Sequence, residues 1–232
     1  MIRYASILLM VLVLAGRAAL GQSEVTFEQY HVVYSAPLST QPYLYMPVLH
    51  YLHPSKWYAE ARYNYEDADT YSLYFGRAFT GGKNLNYSFV PLLGASVGKY
   101  KSFSTGLNID MELDKFFFSS QSQYSRSTSV YGGDFVYTWS ELGYQSLKWL
   151  YAGVAAQHTH VWQEGHELQP GFMLGFTFNR FTVPIYSFEP FNSNGRNFIV
   201  GLTMAWKHSK RKQPAFPVVK GDARPANGNT AN

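Results

Sequence analysis

Lys101-Ser102-Phe103-Ser104-Thr105-Gly106-Leu107-Asn108-Ile109-Asp110-Met111-Glu112-Leu113-Asp114 is the stretch that decides the fold. Phe103, Thr105, Leu107, Ile109, Met111 and Leu113 fall on one face. Ser102, Ser104, Gly106, Asn108, Asp110, Glu112 and Asp114 fall on the other. Successive side chains of a β-strand point to opposite faces, so this is a strand with one oily side and one wet side. A transmembrane β-strand needs about 9–11 residues of such a pattern.

Working outward, the same alternation recurs. Asn197 to Lys207 sets Phe198, Val200, Leu202, Met204 and Trp206 on one face. Leu168 to Phe178 does so with Leu168, Pro170, Phe172, Leu174, Phe176 and Phe178, and Asn179-Arg180 reads as a tight turn into Phe181 to Tyr186. Pro184 has no N–H to give a ladder and predicts a bulge there. Further strands are predicted over Leu147 to His158, Gly133 to Ser140, Lys115 to Tyr124, Leu85 to Val97, Thr70 to Phe79 and Trp57 to Glu66. In Gly133 to Ser140 the oily face is read from Phe135, Tyr137 and Trp139. In Trp57 to Glu66, Trp57, Ala59, Ala61, Tyr63 and Tyr65 oppose Tyr58, Glu60, Arg62, Asn64 and Glu66.

These strands number about ten. Val25 to Tyr34 and Tyr43 to Leu52 are candidates for two more, which would make twelve and keep the count even. Turns at Asp114-Lys115 and Asn179-Arg180 are very short, whereas 125–130, 159–167 and 187–196 are long. An even strand number with short turns at one end and long loops at the other is the rule for bacterial outer-membrane barrels. The expected fold is an all-β, antiparallel up-and-down transmembrane β-barrel.

The ends read differently. Arg3, the apolar run Ile7 to Ala15, and Ala19 and Gly21 before Gln22 have the order of a cleaved export signal over 1–21. That run is far shorter than the roughly 20 residues of a spanning helix. Residues 22–56 form an N-terminal segment holding the one or two extra strands, 57–207 the barrel, and 208–232 a disordered basic tail around Lys210-Arg211-Lys212. The formal charge of the chain is +4. The signal contributes two positive charges and the tail from Lys207 a net five, which leaves the body at −3, so the basicity is local and gives no case for nucleic acid. Lys210, Arg211 and Lys212 are a possible contact for a periplasmic or cell-wall partner.

The chain has no cysteine, 18% aromatic residues and 15% charged ones. Ordinary soluble domains carry about 25% charged residues. Alternation alone also fits a soluble lipocalin-like barrel with its oily face turned inward around a ligand. The wet face of such a barrel would be rich in Lys and Glu. Here it is dominated by Ser, Gly, Asn, Thr, Gln and Ala, which suit a crowded lumen, and the aromatics suit interfacial girdles.

Taken together, residues 57–207 resemble a small outer-membrane β-barrel protein of Gram-negative type. Gly201, Met204 and Trp206 are similar to the Gly-x-x-hydrophobic-x-aromatic signal in the last strand of such barrels. Ile199 stands where that signal is usually polar, and 26 residues follow Trp206. The resemblance implies outer-membrane lipid and the barrel assembly machinery as partners, and an outer-membrane address.

Glu60, Arg62, Glu66, Asn108, Asp110 and Glu112 are the lumen candidates. They read either as the lining of a narrow pore or as an ion-pair network that closes the barrel, with the network favoured. His158 and His160 lie two apart on one strand face, with His166 beyond a loop and only Glu164 and Glu167 as nearby carboxylates. No metal site or cofactor is expected from them. Outer-membrane phospholipases and lipid A deacylases carry His-x-Ser; the chain has His158-Thr159-His160, and Ser125, Ser127 and Ser129 are not linked to it by spacing. The expectation is therefore no enzyme and no catalytic residue. A structural or interaction role comes first, a narrow pore for small solutes second, and a lipid-modifying barrel enzyme or soluble ligand-binding barrel behind them.

Overall fold

The computed structural model describes residues 23–34, 43–128, 132–162, 165–192 and 195–207. The export signal over 1–21, Ser129, Glu164 and the tail over 208–232 lie outside the described residues. The strands are β1 (Glu24–Tyr34), β2 (Tyr43–Leu52), β3 (Trp57–Tyr63), β4 (Thr70–Arg77), β5 (Phe79–Gly81), β6 (Leu85–Gly98) and β7 (Ser102–Leu113). They continue with β8 (Phe116–Ser127), β9 (Phe135–Leu147), β10 (Leu150–Val161), β11 (Gly165–Phe178), β12 (Phe181–Phe188) and β13 (Asn197–Lys207).

Each strand pairs antiparallel with its neighbours, and β1 closes the sheet on β13 from Glu24↔Lys207 to Tyr34↔Asn197. Strands β4 and β5 are one stave. Both pair with β6 in one unbroken register, Gly76↔Leu92 then Phe79↔Phe89. The ladder lapses where Pro91, which has no N–H, stands in β6. Among the described residues the barrel therefore has twelve staves, the larger of the two counts the sequence left open. The two candidates Val25 to Tyr34 and Tyr43 to Leu52 are β1 and β2, whose pattern is weakened by polar residues on both faces of β1 and by Pro47 in β2.

The connections 53–56, 82–84, 114–115, 148–149 and 179–180 share one end with the start of β1 and the end of β13. The connections 64–69 and 99–101, and the described residues 128, 132–134, 189–192 and 195–196, lie at the other. The tightest turns use Asp114 (φ 53°) and Asn179 (φ 56°), residue types that enter this region more easily than bulky ones.

Three local readings are corrected. Pro184 makes no bulge: Thr182↔Thr203 and Ile185↔Val200 keep the same register on either side of it. Gly201 stands opposite and leaves room for the ring, since a Cβ there would lie 2.7 Å from Pro184 Cγ. A register shift occurs instead between Leu150 and Tyr151. The strand expected over Gly133 to Ser140 runs on to Leu147 and presents the opposite face. Trp139 is buried among Tyr186 and Phe188 in the lumen, with Tyr137 packed against the cluster, while Leu142 and Tyr144 are exposed outside. Tyr65 lies past the end of β3 and turns inward, stacking on Arg62.

Elsewhere the facing is as read. Phe103 is 69% exposed while Ser102, Ser104 and Asn108 are buried; Leu93, Leu107, Phe172 and Val200 are exposed as well. Trp57, Phe116, Trp149, Phe181 and Trp206 ring the short-turn end, and Tyr43, Tyr71, Phe103 and Trp162 ring the long-loop end. An apolar outside between two aromatic girdles, with a polar inside, is a transmembrane barrel. The lipocalin arrangement, apolar inside, is ruled out by the same residues.

Candidate functional site: the lumen

Strand geometry puts Glu60 and Arg62, two apart on β3, on the inner face beside each other. Arg62 pairs through Nε with Glu60 and through Nη1 with Glu66 at 3.2 Å, and donates to Gln123 Oε1 at 2.5 Å. Its guanidinium lies 4.4 Å from the Tyr65 ring centroid and 4.3 Å from that of Tyr74. A planar, always-charged group suits this double stacking with forked pairing better than an ammonium would. The side chains of Glu60, Arg62 and Glu66 are 1%, 3% and 0% exposed.

The network runs on both ways. Tyr58 donates to Glu60 at 2.6 Å, and Asn108 donates to it at 3.3 Å. His50 lies 3.3 Å from Glu60 and 3.4 Å from Glu28, bridging β3 to β1 across β2. Tyr74 donates to Glu66 at 2.9 Å, Ser72 also donates to Glu66, and Tyr65 donates to Gln121 at 3.1 Å. A second filling layer is aromatic. Tyr151 lies over Gly175, its ring occupying the space a Cβ would need, and packs edge-on against Phe117.

Between these layers, toward the short-turn end, is a chamber of about 80 Å³. At about 30 Å³ per water it holds roughly two or three waters. Glu28, Asp110 and Glu141 reach it from β1, β7 and β9, and its lining contains His50 but no Lys or Arg. A smaller space of about 30 Å³ adjoins it and shares Glu28, His50, Gln121 and Glu141. Tyr30 donates to Glu28 at 2.8 Å beside its contact with His50, while Asp110 and Glu141 are held by neutral donors: Ser119 to Asp110 at 3.1 Å, and both Trp139 and Tyr186 to Glu141 at 2.8 Å.

The six lumen candidates therefore separate. Glu60, Arg62, Glu66 and Asn108 join one network. Asp110 lines the chamber, and Glu112 is half-buried nearer the short-turn end. Sequence reasoning missed Glu28, His50 and Glu141. The signal was present for Glu141: a carboxylate inside a spanning strand is costly toward lipid, so it fixes the phase of β9, whereas Trp139 fits either face.

Among the described residues, Ser125 and the histidines of β10 and β11 do not meet. Ser125 is fully buried inside, bonded to Ser104 at 2.8 Å. His158, His160 and His166 occupy outward positions; His160 faces His166 across the β10–β11 ladder and lies beside Trp162. Among the described residues no group of three or more His, Asp or Glu is placed to hold a metal. Gly201, Met204 and Trp206 lie on β13, with Trp206 in the short-turn girdle.

The fold is that of outer-membrane porins. A KdgM porin, solved in complex with disordered oligogalacturonate, aligns over 77% of this chain and 98% of its own at 9% identity, with a TM-score of 0.58. The NanC porin aligns over 78% of this chain and 98% of its own, also at 9% identity, with a TM-score of 0.50. No family model matches the chain. No curated protein matches it either. At such identity the likeness carries the architecture and leaves the cargo to the residues of this lumen.

Proposed function

We propose that the protein is a narrow outer-membrane channel for small solutes, with cations and neutral polar molecules favoured over anions. This places the pore ahead of the purely structural role that the sequence put first. Twelve staves stand between the eight-stranded barrels that side chains just fill and the 16–18-stranded porins that hold open aqueous channels. The observation that carries the reading is the chamber itself, lined by three carboxylates with no Lys or Arg in its wall. Rings of Asp and Glu favour cations in a pore. The oligogalacturonate bound by KdgM is a polyanion and would meet like charge here. The separation of Ser125 from His158 and His160 supports a transport rather than an acyl-transfer role, because a serine nucleophile must lie within hydrogen-bond reach of its base.

The test is planar-bilayer recording of the refolded full chain across a KCl gradient. Stable single-channel steps with a reversal potential on the cation side are expected. A silent bilayer overturns the channel, and steps reversing on the anion side overturn its preference while leaving the channel standing.

A further inference from the structure

The exterior of the short-turn end carries a pattern that the lumen does not use. Each of its five connections holds one cation: Lys56 in 53–56, Lys83 in 82–84, Lys115 in 114–115, Lys148 in 148–149 and Arg180 in 179–180. Arg77, outward on β4, adds a sixth. Lys83, Lys115, Lys148, Arg180 and Arg77 are exposed and Lys56 is half-buried. Asp114 is the single acid among those five connections.

The long-loop end is mixed. Its described connections carry Glu66, Asp67, Asp69, Asp134 and Glu189 against Lys99, Lys101 and Arg196, and Lys99 is paired with Asp67 at 3.2 Å. The bias therefore belongs to one end, not to the barrel as a whole.

Height decides what the cations meet. The Arg77 guanidinium lies 5.8 Å from the Trp57 ring, and the Lys115 ammonium lies 5.9 Å from the Tyr144 ring. Those rings belong to the short-turn girdle, and girdle aromatics sit at the level of lipid headgroups. Long basic side chains beside them lay their stems on apolar surface and hold their charge at the phosphate plane.

We propose that Lys56, Arg77, Lys83, Lys115, Lys148 and Arg180 form a collar that binds anionic phospholipid headgroups in the leaflet at the short-turn end. Basic residues near a membrane surface each add attraction to anionic lipid, and a ring of them spreads that attraction around the circumference. The collar requires only that the barrel spans a bilayer. Its assignment to the periplasmic leaflet rests on the outer-membrane reading above.

The test is lipid competition on the refolded full chain. Tryptophan quenching by brominated phosphatidylglycerol and by brominated phosphatidylcholine gives the preference of the barrel surface. Trp162→Phe removes the long-loop-end reporter, leaving Trp57, Trp149 and Trp206 to report the short-turn end. A several-fold preference for phosphatidylglycerol is expected, weakened by high salt. It should fall most of the way to unity in K56Q/K83Q/K115Q/K148Q/R180Q, where Arg77 alone of the collar remains, and persist in K99Q/K101Q. The pairs K83Q/K115Q and K148Q/R180Q should each lose part of it, and they decide the matter if the fivefold variant does not fold. Equal quenching by the two lipids in the parent chain overturns the proposal. So does a preference that survives both pairs or the fivefold variant.

Discussion

Toward the long-loop end of the lumen, one guanidinium faces two carboxylates, two tyrosine rings and a glutamine amide. Toward the short-turn end, three carboxylates face a chamber with no Lys or Arg in its wall. Both regions are polar and lie inside the same staves, yet one is filled and the other hollow. The difference lies in how the carboxylates are satisfied. Ion pairing draws Glu60 and Glu66 onto Arg62 and closes the space between them. Tyr, Ser and Trp donors hold Glu28, Asp110 and Glu141 against the wall from which they project and leave the centre to water. A lumen can thus be blocked or wetted by the same acids, according to whether one forked cation such as Arg62 draws them together across the space.

The largest expected effect comes from removing that cation. Arg62→Ala leaves Glu66 buried without a positive partner and Glu60 with His50 alone, and breaking a buried pair in this way costs about 3–5 kcal/mol. The heat-modifiable folded band on a gel, followed through a urea series, should shift to a lower midpoint accordingly. A cost below about 1 kcal/mol would mean that the network is dispensable filling. Any folded fraction should also conduct more than the parent, because the plug has gone.

Arg62→Lys keeps the charge but not the fork or the flat stacking surface. The cost should be smaller, about 1–2 kcal/mol, with the ion pair to Glu60 kept and the hydrogen bond to Gln123 broken. The same urea series reads it. If lysine matched arginine, charge alone would explain the plug, and Tyr65 and Tyr74 would be bystanders.

How far the sequence foretold these two regions follows from the range of each interaction. β7 was legible from Ser102 to Leu113, and β2 and β13 as segments, because alternation is a local property of the chain. Glu60 and Arg62 were legible as neighbours for the same reason. Gln123, 61 residues from Arg62, was not, since that hydrogen bond exists only once the barrel has closed. In β9 the aromatic triad Phe135, Tyr137 and Trp139 gave the wrong phase and concealed Glu141. Lumen and lipid both accept aromatics, so a charge is the better guide to phase. The chamber could be recognised only from closure of β1 onto β13, which carries Glu28 into the same space as Asp110 and Glu141.

The chamber should respond in selectivity more than in stability. In Glu28→Gln with Glu141→Gln, the amides can still accept from Tyr30, Trp139 and Tyr186, so a change within about 1 kcal/mol is expected from this pair. The reversal potential in a KCl gradient should move most of the way to zero. A value left at the parental one would place the selective step elsewhere in the lumen.

Asp110→Asn is the mildest of the four. Asp110 is half-buried and accepts one bond, from Ser119 at 3.1 Å, which an amide oxygen also accepts. Stability should change by no more than about 0.5 kcal/mol. The reversal potential should move in the same direction as in the double variant, but less, because two carboxylates remain in the wall. The ratio of the two shifts measures how the chamber acts on an ion. Shifts in proportion to the charge removed mean a diffuse field set by the sum of the wall. A full loss of preference in Asp110→Asn alone would instead mean that ions pass close against β7. The conducting path would then run against β7, with Glu28 and Glu141 serving to hold His50, Trp139 and Tyr186 in place rather than to select.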